Sequence, residues 1–180
     1  MNPVVSFDRV SDLTEAERAE ALALTHAVFP PAEAADWPGR HLEWSSPEWC
    51  VRMRGPAGDL LSYVGVLVRD ASSKGKPLRV GGVGGVKTHP AARRQGLAGV
   101  GMRRAVEHFH DLGNVEFGLL VCEPRLLAYY SRLGWQEFDG RLVVRQHGSV
   151  SDFTFNRAMT YGVQSPGPTT GMLDLMGPPW

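Results

Sequence analysis

The chain has 180 residues, enough for one domain with a real core. Its 19 basic residues balance 19 acidic ones, so net charge gives no reason to expect nucleic acid or an anionic membrane as partner. Two cysteines, Cys50 and Cys122, are too few for a disulfide framework and suit a cytoplasmic protein. The N-terminus lacks a basic region followed by an apolar run, so no signal peptide is expected, and no apolar run approaches a membrane span.

Thr14, with Glu17 three residues on, forms a capping box that opens a helix. Ala21, Leu24, Ala27 and Val28 place an apolar stripe on it. The proline-rich stretch from Pro30 to His41 reads as a loop. Three strand signals follow, "EWCVRM", "LLSYVGVLVRD" and "PLRVGGVGGVKT", with "SSKG" as a hairpin turn between the last two. From Gln95 to about Leu112 the period becomes helical, with Ala98, Met102, Ala105, Val106, Phe109 and Leu112 on one face. Gly99 and Gly101 weaken that helix, so something other than propensity favours them. "VEFGLLVC" has the length of a buried strand, and "RLLAYYSRL" is a helix with Pro124 near its start and Gly134 at its end. "LVVRQ" and "DFTFNRAM" read as closing strands. The order predicts an α+β domain with a mixed, twisted sheet flanked by helices, over residues 1–161. Residues 162–180 form a Pro/Gly-rich tail whose apolar end, Met172 to Trp180, is expected to dock on the domain.

"THPAARRQGLAG", residues 88–99, carries the chemistry. A phosphate-binding loop requires Gly directly before Lys-Thr, but Val86 precedes Lys87-Thr88. A dinucleotide fingerprint fails as well, since its third glycine falls on Lys87 or on Arg104. What remains is a strand, Pro90, then Arg93, Arg94, Gln95, Gly96, Leu97 and Ala98 opening a helix. The free N–H groups and dipole of a helix start attract anions, and small residues let a pyrophosphate reach the backbone. Gly84 and Gly85 in the preceding strand suggest a close backbone approach or a bulge. On this segment alone, an anion cradle and a solvated basic turn are both open readings.

The segment resembles motif A of the GNAT acyltransferase superfamily, [Q/R]-x-x-G-x-[G/A], with Arg93, Gly96 and Ala98 at the defined positions. "AYYSRLGW" resembles the later GNAT segment Y-x-[K/R]-x-G-[F/W], through Tyr130, Arg132, Gly134 and Trp135. The resemblance covers residues 80–138 and implies a single GNAT-like domain with acetyl-CoA as cofactor. It implies that Arg93 to Ala98 hold the pyrophosphate, and that Val86, Lys87 and Thr88 offer backbone to the pantetheine arm. A main-chain N–H near Val86 would stabilise the oxyanion, and Tyr130 would be the general acid, with Tyr129 turned to another face. Many such enzymes carry a Glu on the strand before motif A. Gly81 to Thr88 contains no carboxylate, so a base comes from elsewhere, acts through water, or is not used; Glu123, just past the next strand, is one candidate. Cys122 reads as a buried structural thiol, and no metal site is expected.

Within that superfamily the chain is similar to aminoglycoside 2'-N-acetyltransferases, in length, in Asp36-Trp37 after the first helix, and in its final Trp180. This implies a small-molecule amine as acceptor, with Asp36, Asp152 and Trp180, the last through a terminal carboxylate, as candidate contacts. Gly84 and Gly85 would border it. Two acids of that group fall at Gly84 and Pro178 and are absent. The alternatives are a GNAT enzyme for another amine, such as a peptide N-terminus, a polyamine or a metabolite, and a non-catalytic acyl-CoA-binding domain. A homodimer is left open.

Overall fold

The computed structural model of the chain describes residues 3–34 and 36–180. Strand β1 (Val4–Arg9) leads through a turn of 3-10 helix into α1 (Glu15–Val28), followed by the single turn α2 (Pro31–Ala34). Three antiparallel strands come next: β2 (Trp49–Arg54), β3 (Leu60–Ser73) and β4 (Lys76–Thr88). A crossover helix, α3 (Leu97–Leu112), returns the chain to β5 (Phe117–Cys122), parallel to β4. The short α4 (Leu127–Ser131) precedes β6 (Gln136–Phe138), β7 (Arg141–Gln146), β8 (Ser149–Asp152), β9 (Arg157–Gly162) and β10 (Met172–Asp174). The sheet runs β6-β9-β5-β4-β3-β10-β7-β8, with β1 and β2 branching from β3. This is the mixed-sheet α+β domain expected.

Three local expectations have a visible physical cause in the structure. The Thr14 hydroxyl accepts from the Glu17 N–H, and the Glu17 carboxylate accepts from the Thr14 N–H, so α1 starts on a complete capping box. The "SSKG" turn closes β3 onto β4, with Lys74 and Gly75 both at positive φ, as a tight two-residue hairpin requires. Gly101 in α3 is explained by packing. A Cβ there would lie 2.6 Å from Val64 Cγ2 on β3, so the missing side chain lets the helix sit close on the sheet.

Other expectations need correction. β1 gave no alternating signal, because it is a sheet-edge strand with Val4 and Val5 turned outward. "DFTFNRAM" is one strand only from Arg157. Its alternating aromatics, Phe153 and Phe155, pack inward from a loop. Leu112 is 39% exposed, because the last turn of α3 overhangs the sheet. The tail holds a strand the sequence did not signal: β10 lies parallel to β7 and meets β3, joining the β7–β8 hairpin to the rest of the sheet.

Successive strand residues face opposite sides of a sheet, and the core divides accordingly. Val66, Val83 and Leu120 face a cluster under α3 and α4 that includes Met102, Phe109, Tyr130 and Trp135. Leu67, Val80 and Leu119 face a second cluster that the tail completes with Leu173, Leu175 and Trp180. α1 lies over a third cluster, with Leu24 packed on Cys50 and Tyr63.

Candidate active site

The parallel pairing of β4 with β5 runs from Val80 opposite Phe117 to Val83 opposite Leu120, and stops there. β4 continues to Thr88 along β3, and β5 continues to Cys122 along β9. The two central strands therefore part, leaving the edge of β4 from Gly84 to Thr88 open toward β5. The parting has a local cause. Between the pairs Gly65–Gly84 and Tyr63–Lys87, β4 uses one more residue than β3. This bulge falls at Gly85, whose φ of 57° is cheap only for glycine.

Just beyond the bulge the chain makes a 3-10 turn at Pro90–Ala92 and enters α3. Arg94 (φ 63°) and Gly96 (φ 79°) are both left-handed, which swings the backbone into the helix start. Gly96 is the N-cap, and no side chain caps the helix. Nothing lies within 4 Å of where a Gly96 Cβ would be. Leu97 is buried and anchors the turn to the core, while Arg93 to Gly96 are exposed. A sixteen-residue helix thus presents an uncapped, positively polarised start to open space, beside two arginines. That arrangement fits a pyrophosphate.

The side chains of the strand-end residues divide. Val86 packs on the α3-side core. Lys87 turns to the opposite face, where its ammonium donates to Thr25 Oγ1 at 2.9 Å and lies 4.7 Å from the Tyr63 ring centroid. Burial there lowers its pKa. What Lys87 offers the β4 opening is therefore backbone. Thr88 Oγ1 shares a hydrogen bond with Ser62, and the Arg93 Nε donates to the Thr88 carbonyl at 3.4 Å.

Tyr130 is 6% exposed and packs in the α3-side core. Burial raises its phenol above the ordinary value of 10, and neighbouring Cys122 raises it further. It stays protonated at neutral pH, the state a proton donor needs. Cys122, the last residue of β5, belongs to the same buried cluster as Tyr130. Burial pushes the Cys122 thiol up to about 11, which keeps it neutral and unsuited to be a nucleophile. Tyr129 meets Tyr130 edge-on, at 5.0 Å between centroids, and is less buried. Glu123 is exposed and tied to Arg125.

On the other face the tail reaches the same place. The Trp180 indole is buried over Gly82, and its Nε1 donates to the Leu119 carbonyl at 3.1 Å. A Cβ on Gly84 would lie 2.9 Å from the Trp180 main-chain carbon. The close approach expected at Gly84 is thus an approach by the tail. The loop after α2 is stitched to the tail, with the Ser45 N–H donating to the Pro179 carbonyl. Trp44 stacks on Trp37 at 5.7 Å, and Phe155 meets both edge-on. Trp37 remains 43% exposed, with Asp36 exposed beside it. Asp152 lies at the end of β8, where its carboxylate accepts from Arg141 Nε at 2.7 Å. A surface pocket of about 430 Å³ lies at the β7–β8 turn and includes none of the motif residues.

Sequence reasoning missed the Trp37–Trp44–Phe155 group, because its members come from distant segments. It also missed the placement of Arg103. That residue follows Gly99 by one helical turn, and its guanidinium lies 3.6 Å from where a Gly99 Cβ would be.

The comparisons agree with this fold. Residues 9–138 match the family described as Acetyltransferase (GNAT) domain, and the chain belongs to that family. It is accordingly an N-acetyltransferase with acetyl-CoA as its acetyl donor. A search of curated protein sequences returns no match. Among solved structures, the fold is similar to an Escherichia coli GNAT family N-acetyltransferase (YhbS) in complex with CoA, with a TM-score of 0.62 and 17% identity over 98% of this chain and 91% of that one. It is also similar to an acyl-CoA N-acyltransferase from Pseudomonas aeruginosa, with a TM-score of 0.61 and 22% identity over 89% and 100%. Escherichia coli ElaA gives 0.62 and 16% over 88% and 99%. Among the described residues, no helix is long and apolar enough to cross a membrane.

Proposed function

We propose that the parted ends of β4 and β5 are the reaction centre, with the donor entering over the α3 face and a small amine from the tail face. The observation that carries this is the end of β4–β5 pairing at Val83 beside an uncapped α3 start at Gly96. Arg93, Arg94, Gln95, Gly96, Leu97 and Ala98 hold the pyrophosphate, chiefly through backbone N–H groups. Val86, Lys87 and Thr88 present main-chain groups to the pantetheine arm. Acetyl-CoA supplies the thioester carbonyl that the amine attacks. The Val86 N–H donates to that carbonyl oxygen, the Tyr130 hydroxyl donates its proton to the departing sulfur, and the proton that the attacking nitrogen sheds passes to water, from which the Tyr130 phenolate is reprotonated. Residues 1–161 form the catalytic body, and residues 162–180 are a strap closing its second core.

Two acceptor classes draw on different observations. An aminoglycoside-like polyamine is supported by the resemblance around Asp36-Trp37, with Asp36, Asp152 and Trp180 as contacts and Gly84 and Gly85 at the border. A monoamine with an apolar body is supported by the exposed Trp37 face backed by Trp44 and Phe155. Aromatic faces also attract an ammonium. The second class has the stronger local support, since the Asp152 carboxylate is already engaged by Arg141.

An acetyl-CoA consumption assay over an aminoglycoside, a linear polyamine, an arylalkylamine and a peptide N-terminus tests the proposal. Preference for the arylalkylamine, lost in Trp37→Ala, supports the apolar reading. Preference for the aminoglycoside, lost in Asp36→Asn, supports the polyamine reading. CoA binding without turnover on any of them would overturn both readings of the acceptor.

A further inference from the structure

A half-buried arginine ties three segments together on the tail face. Arg69, on β3, enters no ion pair among the described residues. Its Nη1 donates to the Pro178 carbonyl and its Nη2 to the Ser45 hydroxyl, each at 2.5 Å. Its guanidinium carbon lies 5.3 Å from the centroid of the Trp180 ring, within cation–π range. The Ser45 hydroxyl donates to the same Pro178 carbonyl at 3.1 Å, and the Ser45 N–H donates to the Pro179 carbonyl at 2.7 Å. Gly177 makes room for this knot, since a Cβ there would lie 2.8 Å from Arg69 Nη1. Taking a guanidinium off water without a carboxylate is costly. Here two donor edges and one ring face offset that cost together, which a lysine's single ammonium cannot do in one geometry.

The tied segments border the open edge of β4. Pro178 and Pro179 have φ fixed by their rings, so holding the Pro178 carbonyl leaves few free torsions before Trp180. The Trp180 main-chain carbon then falls 2.9 Å from where a Gly84 Cβ would be, at the first residue of that edge. On the other side of the knot, Trp44 adjoins Ser45, stacks on Trp37, and packs on the cluster that contains Trp180. One side chain thus holds both the tail end over Gly84 and the aromatic loop. The Arg145–Asp174 pair, by contrast, secures the tail at β10 and reaches neither Ser45 nor Pro178.

We infer that Arg69 is a positioning residue for the acceptor side of the transfer, holding the Ser45 loop and the Pro178 carbonyl so that the tail end and the aromatic loop keep a fixed place beside the open edge of β4. This rests on the reading that the amine meets the thioester at that edge. Arg69 acts through Ser45 and the tail, not by touching the amine.

Steady-state kinetics of the whole chain with acetyl-CoA and phenethylamine, beside calorimetric titration with CoA, test the inference. Arg69→Gln should raise the amine KM about fivefold or more, keep kcat within about twofold of native, and leave CoA affinity unchanged. Arg69→Lys should recover part of the KM. Gly177→Ala crowds the guanidinium without removing it, and should move KM in the same direction even where Arg69→Gln does not fold. Arg145→Gln breaks the Asp174 pair and should lower Tm while leaving KM intact. Hydrolysis of acetyl-CoA without amine gives a second readout, independent of the acceptor. Release of the tail end over Gly84 admits water, so Arg69→Gln should raise that rate about threefold or more. Unchanged amine KM in folded Arg69→Gln would overturn the inference. So would Arg145→Gln raising KM as much as Arg69→Gln, which would assign Arg69 to tail stability alone. No turnover of phenethylamine by the native protein would overturn the apolar-amine reading, and unchanged hydrolysis in Arg69→Gln would then overturn the inference as well. Failure to bind CoA would instead overturn the acetyl-CoA reading itself.

Discussion

The two faces of β4 are built in different ways. On the α3 face, the groups offered to a ligand come from one run of chain, Val86 to Ala98, and most are backbone. On the tail face, residues of the same strand meet Thr25, Tyr63 and Trp180, drawn from three separate segments. A donor shared by a whole family can be met by a fixed backbone shape. An acceptor particular to one enzyme is met by side chains gathered from wherever the fold brings them. The first kind of site survives as a local pattern of glycine, arginine and proline. The second has no local pattern.

The largest expected effect falls on the tail face. Trp180→Ala removes a buried indole that covers Gly82 and bonds to Leu119. It should cost about 3–5 kcal/mol of stability, read by denaturant melting. CoA affinity of the folded fraction should be kept, because the indole packs away from α3. A loss of stability and CoA affinity in parallel would join the two faces into one unit.

Tyr130→Phe should lower kcat by about 100-fold while leaving CoA affinity unchanged, and Tyr129→Phe should do little. Since burial raises the Tyr130 phenol above 10, loss of this acid should produce no fall in native kcat between pH 7 and 9. Equal behaviour of the two phenylalanine variants would remove Tyr130 from the chemistry.

Gly101→Val tests the seating of α3. Its Cβ would meet Val64 at 2.6 Å, so the helix must lift from the sheet, at about 1–3 kcal/mol. CoA affinity should fall with it, since the cradle rides on the first turn of the same helix. Full affinity in a destabilised but folded variant would show that the cradle is independent of that seating.

These sites differ in how far the sequence announced them. The turn into α3 was legible, because Gly96 and the small residues after it, ahead of a helical period, mark a helix start. The bulge at Gly85 was legible as one of two alternatives, since Gly-Gly in a strand permits either a bulge or close approach. Both occur, at adjacent residues. β10 was hidden because three paired residues between glycines and prolines carry no periodicity. The turn of Lys87 toward Thr25 was hidden because the bulge shifts the alternation of faces that sequence counting assumes.

The smallest effect concerns the start of α1. The Thr14 N–H, then Arg52, lower the Glu17 carboxyl from 4.5 to about 2. Its folded value is depressed, so its contribution is present above pH 4.5 and is lost as pH falls through about 2. Glu17→Gln should lower Tm at pH 7, and the gap to the native protein should close toward pH 2. A gap that persists at pH 2 would assign the effect to packing and not to charge.

The CoA affinity of Gly96→Glu, measured against Gly113→Glu, tests the account most directly. Both glycines cap α3 in the left-handed region, at φ 79° and 68°, and nothing lies within 4 Å of either missing Cβ. The two variants therefore share the same backbone strain and the same added charge, at opposite ends of one helix. The account predicts at least a tenfold loss of affinity, about 1.4 kcal/mol, for Gly96→Glu and no significant loss for Gly113→Glu. Equal affinities in the two folded variants would contradict it.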